Sequence, residues 1–214
     1  MTNTKKDWKQ YSKVTFDMMN AVRGNWGINN DYDDGILRSF YMNVFSSGSN
    51  KTEYISLSAS ENLIEGSGNL NTDDHYLSPQ FIGRMIMDMS DKYLNDYSLF
   101  ENLFGMCRNT IMVTKKENTS LRQLTKNKRG TFHITPTIMK YSLCDIELVD
   151  KVDGRRFNIV ESYQNIDCYK FEHVIEVPED LGGYELMFME KMAGLKKPAK
   201  RGIIEELLSN DEHE

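Results

Sequence analysis

Cysteine occurs only three times in 214 residues, as Cys107, Cys144 and Cys168, and never in a Cys-x-x-Cys spacing. An odd number at wide intervals excludes a disulfide framework and a four-cysteine zinc staple, and leaves three reduced side chains expected in the core. Proline is nearly as scarce, with 4 residues, beside 14 Gly, 10 Phe and 11 Tyr. So few breakers among so many aromatics exclude collagen-like repeats and general disorder, and the length suits one ordinary domain with appendages. Nowhere do 18 apolar residues run together, and the opening MTNTKKDWKQ has no apolar stretch behind it. Neither a membrane span nor a secretory leader is expected, which reads as a cytoplasmic protein with no membrane contact.

Nucleotide-binding signatures are missing too. There is no GxxxxGK[ST] run, and Gly66-Ser67-Gly68 lacks the third glycine of a dinucleotide fingerprint. The acidic stretch 30–35 fails as a calcium loop, because its glycine register puts Tyr32 at a ligand position and Tyr41 where the bidentate glutamate belongs. Helix capping explains it better. Positive charge is short overall: 26 Lys and Arg face 32 Asp and Glu, for a net −6. Any contact with nucleic acid must therefore use a local basic patch.

What is present divides the chain into helix-rich and strand-rich parts. Trp8, Tyr11, Val14, Met18, Met19 and Val22 recur at helical spacing and predict a helix over 5–22. The Gly, Asn and Asp of 25–35 interrupt it, and Ile36, Leu37, Phe40, Tyr41, Val44 and Phe45 predict a second helix. A short strand is expected at 51–57. Ser58 and Glu61, three apart, form a capping box for a brief helix, and 65–71 reads as a polar loop. Ser78-Pro79 opens a third main helix with Ile82, Met85, Ile86 and Met89 inward; Ser98 and Glu101 cap a fourth, with Leu99, Leu103, Phe104 and Cys107 inward. A strand at 110–113 then runs straight into a helix capped by Thr114 and Glu117, with Leu121 and Leu124 inward. From 131 to 177 β-branched and aromatic residues dominate, and Val152-Asp153-Gly154 between two apolar runs predicts a hairpin. His133 and His173 lie in these β-prone runs and read as structural; the 13 Met read as core filler. The fold class expected is α+β, with a helical region 1–70, a central core 71–130, a β-rich region 131–195, and a linker with a short terminal helix over 196–214.

The chemistry concentrates in the central part. Asp74-His75 stands just before the Ser78-Pro79 helix start, followed at once by Gln80. Later come Asn109, the strand, Thr114, and Asn118 in the first turn of the capped helix. Between 115 and 129, Lys115, Lys116, Arg122, Lys126, Lys128 and Arg129 face Glu117 alone, a local +5. That patch lies on the element bearing Asn118, where one helix could hold a metal ligand and a phosphate backbone together.

This order of residues resembles the HNH, or ββα-metal, endonucleases, and is most similar to the HNH domain of CRISPR effector nucleases. The resemblance covers about a quarter of the chain, as short motifs do. It implies a ββα-metal core flanked by N-terminal helices and a C-terminal antiparallel sheet. It implies hydrolysis of DNA phosphodiester bonds with Mg2+ or Mn2+, His75 as general base, Asp74 and Asn118 as metal ligands, and Asn109 as the organiser of the loop behind the histidine. The six cations from Lys115 to Arg129 would contact DNA. Such residue types suit the reaction. An imidazole accepts a proton at neutral pH, and one carboxylate plus one amide are hard oxygen donors that leave other positions of the ion to water and phosphate. A nuclease of this size suits a phage or another mobile element, and homo-oligomerisation stays open.

Two departures stand beside the likeness. The 33 residues between His75 and Asn109 exceed the usual loop, and the stretch before Asp74 is weakly β-prone. The competing reading is a non-enzymatic acidic protein that inhibits a DNA-binding partner, which the net −6 favours electrostatically.

Overall fold

The computed structural model describes residues 7–122, 140–141 and 144–157. Its helices are α1 (Trp8–Val22), α2 (Asn30–Ser46), α3 (Leu57–Ile64), α4 (Pro79–Asp88), α5 (Ser90–Tyr93), α6 (Tyr97–Met106) and α7 (Lys115–Arg122). Its strands are β1 (Asn50–Ser56), β2 (Asn71–His75), β3 (Asn109–Thr114), β4 (Leu148–Asp150) and β5 (Arg156–Phe157), in the order β2-β3-β1-β4-β5. The class is α+β, with one mixed sheet: β1 runs parallel to β3, and the other pairs are antiparallel. None of the helices among the described residues is long and apolar enough to cross a membrane.

The sheet is covered on both faces. On one side α3 packs Ala59 against Ile55 and Val149 in a small cluster. The other side carries the main core, where Ile111, Val113 and Leu148 meet α2, α4, α6 and α7 through Phe40, Ile82, Met85, Phe104 and Leu121. Phe40 sets its ring edge-on to Phe100 and Phe104, at centroid distances of 6.2 and 5.9 Å, the geometry that aromatic quadrupoles favour. Gly83 lets α4 approach α2, since a Cβ there would lie 3.3 Å from both Leu37 and Phe40. The 33 residues between His75 and Asn109 fold as α4, α5 and α6 and supply much of the core.

Several boundaries differ from the expectation for capping reasons. Asn29 caps α2 by accepting from Asp31 N, so 30–35 is helical rather than a break, and Asp31 and Asp33 sit favourably at the positive end of the helix. The cap of α3 is Ser56, not Ser58, and the cap of α6 is Asp96, not Ser98. Val14, Phe45 and Leu99 point outward, while Phe16 and Phe100 take inward places. The stretch before Asp74 does form a strand, β2, preceded by a 3-10 turn at Gly68–Leu70.

The hairpin expected around Val152-Asp153-Gly154 joins β4 to β5. Asp150 Oδ1 accepts from Val152 N at 2.6 Å, and Gly154 adopts φ +71°. This hairpin extends the central sheet through β1, so the described β-rich segment is continuous with the core. The remaining strands expected up to 177, the 203–208 helix, Leu124, His133, His173 and Cys168 lie outside the described residues.

The Thr114 and Glu117 box forms as expected: Thr114 N donates to Glu117 Oε2 at 2.7 Å, and Glu117 N donates to Thr114 Oγ1 at 3.1 Å. Ser56 Oγ also donates to Glu117 Oε2 at 2.7 Å while accepting from Ala59 N, so one carboxylate ties the starts of α3 and α7 together. Glu117→Ala should cost about 2 kcal/mol through loss of these charge-assisted bonds, lowering the melting temperature by roughly 4–8 °C. Circular dichroism melts check this; an unchanged melt would show that the junction contributes nothing.

Candidate functional site

The β2–β3 ladder positions the residues singled out by the sequence. Asp74 lies opposite Ile111, and His75 opposite Thr110. Alternation along β2 sends Asp74 to the main-core face and Asn71, Asp73 and His75 to the other. β3 continues into α7, whose Leu121 is buried in the same main core as Ile111 and Val113. Asn118 stands three residues before Leu121, which on a helix makes the two neighbours along one side. Asp74 and the buried side of α7 thus share a face of the β2–β3 pair, and His75 turns to the other.

His75 ends β2. Its Nδ1 lies 2.9 Å from the carbonyl oxygen of Cys107, just past the end of α6. A carbonyl only accepts, so Nδ1 carries the proton and Nε2 holds the lone pair. Tyr41 of α2 meets the imidazole edge-on at a centroid distance of 6.1 Å. Burial pushes the imidazole pKa below its ordinary value; the Cys107 carbonyl and the Asp74 carboxylate pull the other way without cancelling it.

Asp74 is engaged by two side chains from a distant part of the chain. Lys140 Nζ lies 2.6 Å from Asp74 Oδ2, and the Tyr141 hydroxyl donates to the same oxygen at 2.7 Å. Lys140 also donates to the main-chain oxygen of His75. Both cation and phenol are buried, with 7% exposure for the Lys140 side chain and 0% for Tyr141. Burial and the adjacent Asp74 carboxylate hold the Tyr141 hydroxyl well above its usual pKa, so it stays a donor. These contacts span more than sixty residues of sequence, which is why no local signal marked them.

Asn109 begins β3. Its carbonyl accepts from Tyr76 N at 3.0 Å, closing the strand ends behind His75, while its carboxamide accepts from Asn50 of β1 at 3.4 Å. The organising bond at the histidine thus comes from the main chain of Asn109 and from Cys107. Lys115, Lys116 and Arg122 are exposed on α7. Glu117 is turned toward Ser56 and Thr114, so its charge is directed away from that basic surface. Lys126, Lys128 and Arg129 lie outside the described residues.

Among the described residues no group of three or more His, Cys, Asp or Glu is arranged to hold a metal ion. The set implied by the resemblance is smaller, a single carboxylate with an amide. Asp74 Oδ1 and the half-buried Asn118 amide are hard oxygen donors that accept no hydrogen bond among the described residues, while the other Asp74 oxygen carries the buried Lys140 ammonium, which already balances the carboxylate charge. No protein-family model matches the chain, and neither the curated proteins nor the solved structures contain a significant relative.

Removing Lys140 leaves the Asp74 carboxylate short of its counter-charge in a mostly buried place. Lys140→Met should destabilise the fold by about 3–5 kcal/mol, and combining it with Asp74→Asn should recover much of the loss. Urea denaturation of the two single variants and the double variant measures the coupling; strictly additive losses would dissolve the pair as a structural unit.

Proposed function

We propose that this chain is a metal-dependent endonuclease of the HNH type that hydrolyses DNA phosphodiester bonds. The observation that supports the reading is the fixed imidazole: His75 donates Nδ1–H to a main-chain carbonyl and leaves Nε2 as an acceptor at the end of β2, while Asp74, the residue before it, turns to the opposite face toward α7. A base in this tautomer removes a proton from water as the water attacks phosphorus. When bound, Mg2+ or Mn2+ supplies positive charge to the phosphoryl oxygens and the leaving 3′ oxygen. Asp74 and Asn118 are the side chains that would hold the ion. Lys140 and Tyr141 fix the Asp74 carboxylate in one orientation. Lys115, Lys116 and Arg122 offer phosphate contacts on the exposed side of α7, as Lys126, Lys128 and Arg129 would in the segment that follows.

The lowered pKa of His75 has a direct kinetic consequence. A base must be neutral to act, so activity is full at pH 7 and falls only when pH drops through the depressed pKa, below the ordinary 6.5 or so. The stability linkage has the same sign. The contribution of neutral His75 is present in full above about pH 6.5 and is lost as pH falls through the folded-state pKa.

Purified protein should nick or linearise supercoiled plasmid with Mg2+ or Mn2+, and His75→Ala should lower the rate by about 10²–10⁴-fold, the range for loss of a general base. The acid limb of the pH–rate profile should have its midpoint below 6.5. A chain with no cleavage in either metal, or with cleavage indifferent to His75, would instead fit a non-enzymatic acidic protein that binds a DNA-binding partner.

A further inference from the structure

Beside the strand end that bears His75 lies an open cleft of about 880 Å3, walled by α1, the start of β1, α6 and the turn into β3. Trp8, Asn50, Glu101, Asn102, Arg108 and Asn109 line it. The same turn serves both places: the Cys107 carbonyl holds the imidazole, and the next two residues, Arg108 and Asn109, face the cleft.

Arg108 is the group that asks for a ligand. The residue as a whole is 9% exposed, and its guanidinium has no ion pair with a carboxylate among the described residues. Its Nε is fixed by the Gly48 carbonyl at 2.9 Å, and its charge centre lies 5.0 Å from the Trp8 ring, which offsets part of the desolvation. Glu101, the acidic group of the cleft, is engaged elsewhere: it accepts from the Tyr97 hydroxyl at 3.0 Å and pairs with Lys9 at 3.8 Å. A half-buried indole, a fixed guanidinium and three carboxamides make a poor site for a carboxylate metabolite alone and a good one for a nucleotide. Arg108 covers one face of the indole, and the other face is the stacking plane; the amides both donate and accept along a base edge, and the guanidinium takes a phosphate.

We infer that this cleft seats one unpaired nucleotide of the substrate strand, its base against Trp8 and its phosphate toward Arg108, so that the strand enters His75 locally single-stranded. The inference rests on the nuclease reading for its substrate, but its geometry is independent of the metal ligands. Stacking on Trp8 requires a base freed from its duplex partner, so single strands are bound in preference to duplex.

The chain has two tryptophans, which makes the test direct. In the full-length Trp26→Phe protein, Trp8 is the only indole; its emission is followed while oligothymidylate, or a duplex of equal length, is added in EDTA. Quenching by the single strand is expected, with affinity at least about tenfold above that of the duplex. Asn102→Asp, at an exposed position, should weaken single-strand binding about fivefold or more through charge repulsion with the melting temperature unchanged. Arg108→Met should weaken it about tenfold, with Arg108→Lys retaining part of the affinity. Unchanged Trp8 emission, equal affinity for duplex, or indifference to Asn102→Asp overturns the cleft assignment. Plasmid cleavage without quenching would do so while leaving the nuclease reading intact; quenching without cleavage in any metal would uphold the cleft and end that reading.

Discussion

The ladder between β2 and β3 is the constraint from which the rest of the site follows. Asp74 reaches Tyr141 and shares a face with α7 only because it lies opposite Ile111. A slip of one residue would turn it to the α3 side and bring Asp73 into the core instead. The register is specified from both faces. Ile111 and Val113 are fully buried in the main core, while Asn71 on the opposite face donates to the Ala59 carbonyl and accepts from Asn62, each at 2.8 Å. β3 has no freedom to slide either, since it is paired on its other side with β1. A strand fixed by two neighbours and two faces is a rigid mount for the side chains it carries.

On that mount the electrostatics are arranged around a single carboxylate. Asp74 is mostly buried, and a charge there is tolerable only with a partner and hydrogen bonds. Lys140 and Tyr141 supply them on one oxygen and leave the other without a partner among the described residues. The arrangement serves two ends. It lowers the cost of keeping Asp74 ionised in the core, and it orients the remaining oxygen. The ammonium also bonds the His75 carbonyl, so the ion pair stiffens the main chain at the point where the imidazole leaves the sheet.

What could be read from the sequence was what is encoded locally. Thr114 and Glu117 form their box because the partners are three residues apart, and the strand before them is written in Thr110, Ile111, Met112 and Val113. The hairpin turn at Gly154 was legible for the same reason. The helix starts at Asn30, Leu57 and Tyr97 were misplaced because each region offers several residues able to cap. Which one does so depends on where the preceding chain leaves the sheet or the neighbouring helix. Leu99 and Phe100 are adjacent and both apolar, and only packing against Phe16 and Phe40 decides which turns inward. The Lys140 and Tyr141 contacts were wholly invisible, since no periodicity connects residues so distant in the chain.

The segment between His75 and Asn109 joins core packing to the placement of His75. Helices α4 and α6 contribute Ile82, Met85, Phe100, Leu103 and Phe104 to the core, so the chain cannot lose them and remain folded. Their path ends at Cys107, whose fully buried thiol is pushed far up in pKa by burial. The side chain anchors this turn in the core while its carbonyl faces outward to the imidazole. Arg108 and Asn109 then follow at fixed positions, one turned to the cleft and one closing the strand ends. A shorter loop would have to hold the histidine by its own local bonds. Here hydrophobic packing holds it, so a substitution deep among these aromatics should disturb the orientation of His75 as well as the stability of the fold.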